Sequence, residues 1–162
     1  MEFNPIDKVP ELTERLKEYN PIIHKNSDEG YDWLDENSLC IELPRYNAGD
    51  SLTIECGGYG EFTVCFLYYH AHYSANDYEY NRMCEQLADL LNSKCGSAAI
   101  LCGSENKWMG SAMIEKEKTS LPLEEIFHFV FEHSKFAEEL RINGGEARFD
   151  FWDSSLNKTI KF

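Results

Sequence analysis

Residues 62–77, FTVCFLYYHAHYSAND, decide how this chain is to be read. Apolar side chains fall at every second position, Phe62, Val64, Phe66 and Tyr68, the period of a strand with one buried face. The same parity continues through His70 and His72. Ser74 then has the chemistry of a helix cap, with Asp77 at the capping-box position. The stretch predicts one strand that runs out through the two histidines into a helix, with His70 and His72 at the rim of the buried face.

Working back from it, GGYG (57–60) reads as a hairpin loop, because glycine supplies the positive φ such loops need. It is not a phosphate loop, since no lysine follows and the next element is a strand. Two earlier alternating runs, Leu39/Ile41/Leu43 and Leu52/Ile54/Cys56, flank the turn-like RYNAGD (45–50). Before them, Asn4-Pro5 opens a helical segment with Val9, Leu12, Leu16 and Tyr19 on one face, ended by Pro21. DEGYDWLDEN (28–37) is acidic with two aromatics and reads either as a short helix or as an ordered loop.

Working forward, Tyr80, Met83, Cys84, Leu87, Leu90 and Leu91 form one helix face, with Gly96 as its expected stop. SAAILCG and KWMGSAMIEK read as strands joined by GSEN. Ser120 and Pro122 open another helix, and Ser134 is expected to cap a last one that ends at Asn143-Gly144-Gly145. EARFDFWD and KTIKF close the chain as strands. The pattern predicts a single α+β domain over 1–162, with a helical segment at about 5–36 followed by one mostly antiparallel sheet of about six to seven strands and helices packed on one face.

Alternation then assigns faces. One side gathers the apolar residues, Trp108 among them. The other gathers Glu42, Glu55, Tyr69, Met109, Met113, Asp150 and Trp152, aromatic and methionine side chains ringed by carboxylates. That mixture has the chemistry of a protein-binding surface, because aromatic residues give large contact area at low entropy cost. The competing reading is that Leu67, Tyr69 and Trp152 pack beneath the N-terminal segment.

With 43% hydrophobic and 14% aromatic residues, the 162-residue chain carries enough apolar surface for a packed core. Its net charge of −14 repels phosphate backbones and anionic lipid, and Lys and Arg form no stripe. Nucleic acid and membrane are therefore excluded as expected partners, and a basic protein is the partner such a field would steer in. No apolar run approaches the ~20 residues of a membrane span. MEFNPIDKVPELTER has no basic stretch followed by an apolar one, so no signal peptide is read there and a cytoplasmic location is expected. The six cysteines form no C-x-x-C pair and sit mostly in apolar runs, which predicts reduced, buried thiols.

His70 and His72 share one side of an extended strand, and two imidazoles so placed can begin a metal site. A third ligand has to come from elsewhere. Asp77 and Glu79 lie on the following helix, where capping accounts for them. No metal and no cofactor is predicted. His24 stands alone, and His128 and His133 flank an aromatic helix segment. No nucleophile elbow, zincin or dinucleotide motif occurs. A pocket of His70, His72, Tyr73 and Asp77 remains as the alternative, an enzyme or small-ligand site at the strand end. A scaffold domain is the third reading.

The succession GEFTVCFLYYHAHY, helix, WMGSAMI, NGGEARFDFWD, over roughly residues 38–153, resembles small acidic α+β immunity proteins of bacterial polymorphic toxin systems. The resemblance is one of layout and implies a non-enzymatic protein that binds and blocks a basic toxin. It carries over no functional residue.

Overall fold

The computed structural model describes residues 3–131 and 135–162. The chain is α+β and all its described strand pairs are antiparallel, but they form two sheets where the sequence predicted one. It divides into two compact units, residues 1–86 and 87–162.

The first unit opens with a 3-10 turn over Pro5–Lys8, whose start is capped by the Asn4 side chain, and continues as α1 (Val9–Arg15). Five strands follow in sequential order: β1 (Ile22–Lys25), β2 (Leu39–Arg45), β3 (Asp50–Cys56), β4 (Glu61–Phe66) and β5 (Tyr69–Ser74). β2, β3 and β4 alternate as expected, with Ile41, Ile54 and Val64 in one buried row. Two helical elements cover that face. Val9 and Leu12 of α1 are buried, and Tyr80 of α2 (Asp77–Leu91) lies 5.6 Å from the Phe62 ring. At the sheet end, buried Arg45 donates to Asp50 and lies over the Phe66 ring, so its charge is both paired and stacked.

β5 is where the expected single strand breaks. Leu67 and Tyr68 form a two-residue turn, Leu67 at φ +52°, and the chain folds back so that Tyr69 pairs with Phe66 and Tyr73 with Phe62. The turn sets Phe66 and Tyr69, three residues apart, opposite each other on one face, so the parity of the core face inverts beyond it. Tyr69 and Tyr73 therefore fall on the core face, while His70 and His72 sit opposite Cys65 and Thr63 on the polar face. Both sequence assignments, Tyr69 on the polar face and the histidines on the buried one, are corrected by this turn. The helix cap is corrected as well: Asn76 Oδ1, not Ser74, accepts the Glu79 amide at 2.9 Å. β1 was not expected at all.

The second unit holds β6 (Cys95–Cys102), β7 (Lys107–Glu115), α3 (Leu123–Val130), α4 (Lys135–Asn143), β8 (Gly145–Asp150) and β9 (Lys158–Lys161), with sheet order β7-β6-β8-β9. Ser93, at φ +55°, follows the end of α2, and Gly96 lies inside β6 rather than stopping the helix. Gly96 is needed for closeness: a Cβ there would lie 2.4 Å from the Asp150 carbonyl oxygen and 2.8 Å from the Phe151 ring. Ala98, Ile100, Ala147 and Phe149 build the core with Ile126, Phe127, Phe131 and Leu140. α4 ends at Asn143, as expected, with Gly144 at φ +66°. Ser134 and His133 lie outside the described residues.

A bulge shifts the β6–β7 register between Ile100 and Leu101, so Trp108 pairs with Leu101 and Met109 is the extra residue. Met109 packs against the helix-covered core and Trp108 is 53% exposed. Their expected faces are thus exchanged, because parity counted along β7 does not survive an inserted residue.

Candidate functional site

Register places two rows of side chains across the polar face of the five-stranded sheet. One runs His24, Cys40, Glu55, Thr63, His72; the next runs Ile22, Glu42, Thr53, Cys65, His70. Glu42 and Glu55, both expected here, are therefore near neighbours on adjacent strands, and the two histidines join them at the far edge.

The segment between β1 and β2 folds over the near edge. Tyr31 stacks on His24 with rings 3.9 Å apart, and Trp33 lies 5.9 Å from Tyr31. His24 Nε2 and Tyr31 OH both donate to Glu42 Oε2, at 2.8 and 3.2 Å. Burial alone would raise the Glu42 carboxyl, but hydrogen bonds from His24, Ser51 and Tyr31 outweigh it and hold its pKa below the ordinary carboxylate value. The Tyr31 hydroxyl is pushed the other way, up to about 12, by burial and then by the charge of Glu42.

Glu55 is the opposite case. Burial and then the charges of Asp35 and Glu61 raise its pKa, with His72 opposing them. His72 itself is held by Glu61 Oε1, 2.7 Å from Nδ1, and by Thr63 Oγ1 at 3.2 Å. His70 and His72 stand edge to face, 5.3 Å apart. Among the described residues, no group of three or more His, Cys, Asp or Glu side chains is placed to hold a metal ion. Cys40 is fully buried, which pushes its thiol up to about 12, and burial raises Cys65 too, so neither is poised as a nucleophile. All six cysteines are free thiols.

The alternative pocket does not assemble. Tyr73 is buried on the core face, where burial and the neighbouring Tyr69 hydroxyl raise its pKa, while His70 and His72 face the other way and Asp77 is exposed in the first turn of α2.

In the four-stranded sheet, Met113 and Asp150 flank Ser97 in one row, and Asp150 Oδ1 accepts from Asn157 at 3.0 Å. Trp152 follows the end of β8 and is half-buried. The expected partner residues are thus divided: Glu42 and Glu55 share one sheet face, Met113 and Asp150 belong to another sheet, and Tyr69 and Met109 have turned toward cores.

Sequence reading missed His24 and Tyr31, which both bond Glu42, and Asp28, whose carboxylate lies 3.7 Å from His24 Nδ1. The signal was present: an acidic, aromatic stretch directly after Ile22-Ile23-His24, too short to register as a strand and its return. Charge is also unevenly divided. Residues 1–86 hold 17 of the 29 acidic and 6 of the 15 basic residues, a net −11, which leaves −3 for residues 87–162. No described helix is long and apolar enough to cross a membrane.

Comparison with known proteins finds no matching family model, no matching curated protein and no matching solved structure.

Proposed function

We propose that this chain is a non-enzymatic protein-binding domain, an inhibitor of the immunity type whose first unit takes a basic protein partner. The observation that carries the reading is the concentration of charge: a net −11 on residues 1–86, with Glu42, Glu55 and Glu61 on one side of its sheet. Exposed aromatic residues accompany it, Trp33 at 57% and Tyr59 at 96%. A dense field of one sign speeds encounter with an oppositely charged protein, and exposed aromatics supply the contact area that holds it. The pairing of the two carboxylates matters as well. Glu42 is fixed by three donors, whereas burial and its neighbours disfavour the charged form of Glu55, so Glu55 gains most from an arriving cation.

The resemblance to immunity proteins implies a toxin encoded beside this chain, so the test is titration of the protein with the product of the adjacent gene. The reading expects a stoichiometric complex whose dissociation constant rises steeply as salt goes from roughly 0.05 to 0.5 M, because the screening length falls below about 10 Å in that range. No complex, or one indifferent to salt, overturns it.

A further inference from the structure

The two edges of the five-stranded sheet are treated differently. β1 is short, follows Pro21, and is capped: Lys25 donates its amide to Asp28 Oδ2 at 2.9 Å and its carbonyl accepts the Asp28 amide at 2.9 Å. The Lys25 amide bonding outside the ladder marks Ile23 and Lys25 as the residues whose backbone groups turn outward. With Lys25 capped, only Ile23 is left to pair. This is how an edge is blunted.

β5 has no such device. A two-residue loop makes Phe66 and Tyr69 a hydrogen-bonded pair, so Ala71 and Tyr73 bond to β4 while His70, His72 and Ser74 turn their amides and carbonyls outward. The Ser74 carbonyl is taken by the Asn76 amide at 2.8 Å. The other outward groups have no backbone partner among the described residues. His70, His72 and Ser74 are exposed, the strand runs six residues without a register shift, and it contains neither proline nor lysine.

We infer that β5 is a docking edge for an extended segment of a basic protein, which adds to the sheet as a sixth strand. The inference rests on the reading of the first unit as a binder of a basic partner. Main-chain bonds to His70 and His72 give the affinity, and the charge around the edge selects the sequence. Glu61 lies one strand in, beside His72, and Glu55 two strands in. Asp77 opens α2 just beyond the strand end and is exposed, while Glu79 beside it is already paired with Arg82 at 3.2 Å. A second copy of this chain is the poorer occupant, since it would bring two units of net −11 together.

The probe is a synthetic octapeptide alternating lysine and valine, with a glutamate–valine peptide as control. His72→Pro deletes one outward amide and leaves the inward bonds of Ala71 and Tyr73 in place; His72→Ala removes only the side chain. The lysine peptide is expected to slow amide exchange at His70 and His72 and to bind about tenfold more weakly to His72→Pro, the scale of one lost hydrogen bond, and nearly normally to His72→Ala. Equal binding to wild type and His72→Pro, no slowing at β5, or equal binding of the glutamate peptide overturns the inference. So does protection at β5 that grows with protein concentration alone, which would make the occupant a second copy. A salt-sensitive complex with the adjacent gene's product that survives His72→Pro removes this inference and leaves the proposed function standing.

Discussion

In the five-stranded sheet, β3 and β4 alternate between a buried residue and a half-exposed one. In the four-stranded sheet, β6 is buried at all eight positions from Cys95 to Cys102. The difference follows from side-chain size. β6 reads CGSAAILC, small through its first half, so neighbours close onto it; the Phe151 ring sits where a Gly96 side chain would be. β3 and β4 carry Thr53, Glu55, Thr63 and Cys65 between their apolar residues, and those keep one face polar. The lesson is that one sheet presents a face with recognisable chemistry, while the other spends both faces of its central strand on packing. The charge follows the same division, with most of the net negative charge on the unit whose sheet keeps a polar face.

The contrast in packing has measurable consequences for substituted proteins. The largest loss is expected from Phe149→Ala in β8, fully buried among α3 and α4 residues, at about 3–5 kcal/mol in denaturant unfolding. Next come Ala98→Leu and Ala99→Leu in β6, one on each face, at about 1–3 kcal/mol each because both alanines are fully buried and a larger side chain overpacks. Thr53→Leu, on the polar face of β3, should stay within about 0.5 kcal/mol. If Ala99→Leu proves as mild as Thr53→Leu, β6 is not packed on both faces and the contrast fails.

Smaller and pH-dependent are the two carboxylates. Glu42 has a depressed folded pKa, so its charge stabilises the fold at neutral pH, and that contribution is lost as pH falls through the depressed value. Glu42→Gln should lower stability by about 1 kcal/mol at pH 7 and by nothing in strong acid. Glu55 has a raised folded pKa, so the sign reverses: the fold gains relative stability as pH falls through that value, and Glu55→Gln should not destabilise at pH 7. Melting temperatures of both variants from about pH 2 to 8 decide it, a range that runs well below the ordinary carboxylate values of about 4.

Much of the fold was legible because long runs obey one period. β2, β3, β4, β6 and β7 as strands, α2 as a helix and Gly144 as the end of α4 all follow from alternation, helical spacing or backbone freedom. The misses share a cause. Leu67–Tyr68 turns without glycine, asparagine or proline, so nothing announced the hairpin that reversed His70, His72, Tyr69 and Tyr73. The β7 bulge is equally silent in sequence, and it exchanged Trp108 with Met109. Face assignment sums parity along the strand, so one unseen turn or inserted residue inverts everything beyond it. Of the candidate site, Glu42 and Glu55 were legible from within uninterrupted strands. The His24–Tyr31 arrangement was not, because a four-residue strand carries too little period to detect.

The first unit, not the second, is expected to meet the partner. Amide hydrogen exchange of the complex with the adjacent gene's product, compared with the protein alone, tests it most directly. Protection confined to residues 1–86, with the strongest slowing along β5, is the predicted result. A footprint on residues 87–162 that spares the first unit would contradict it.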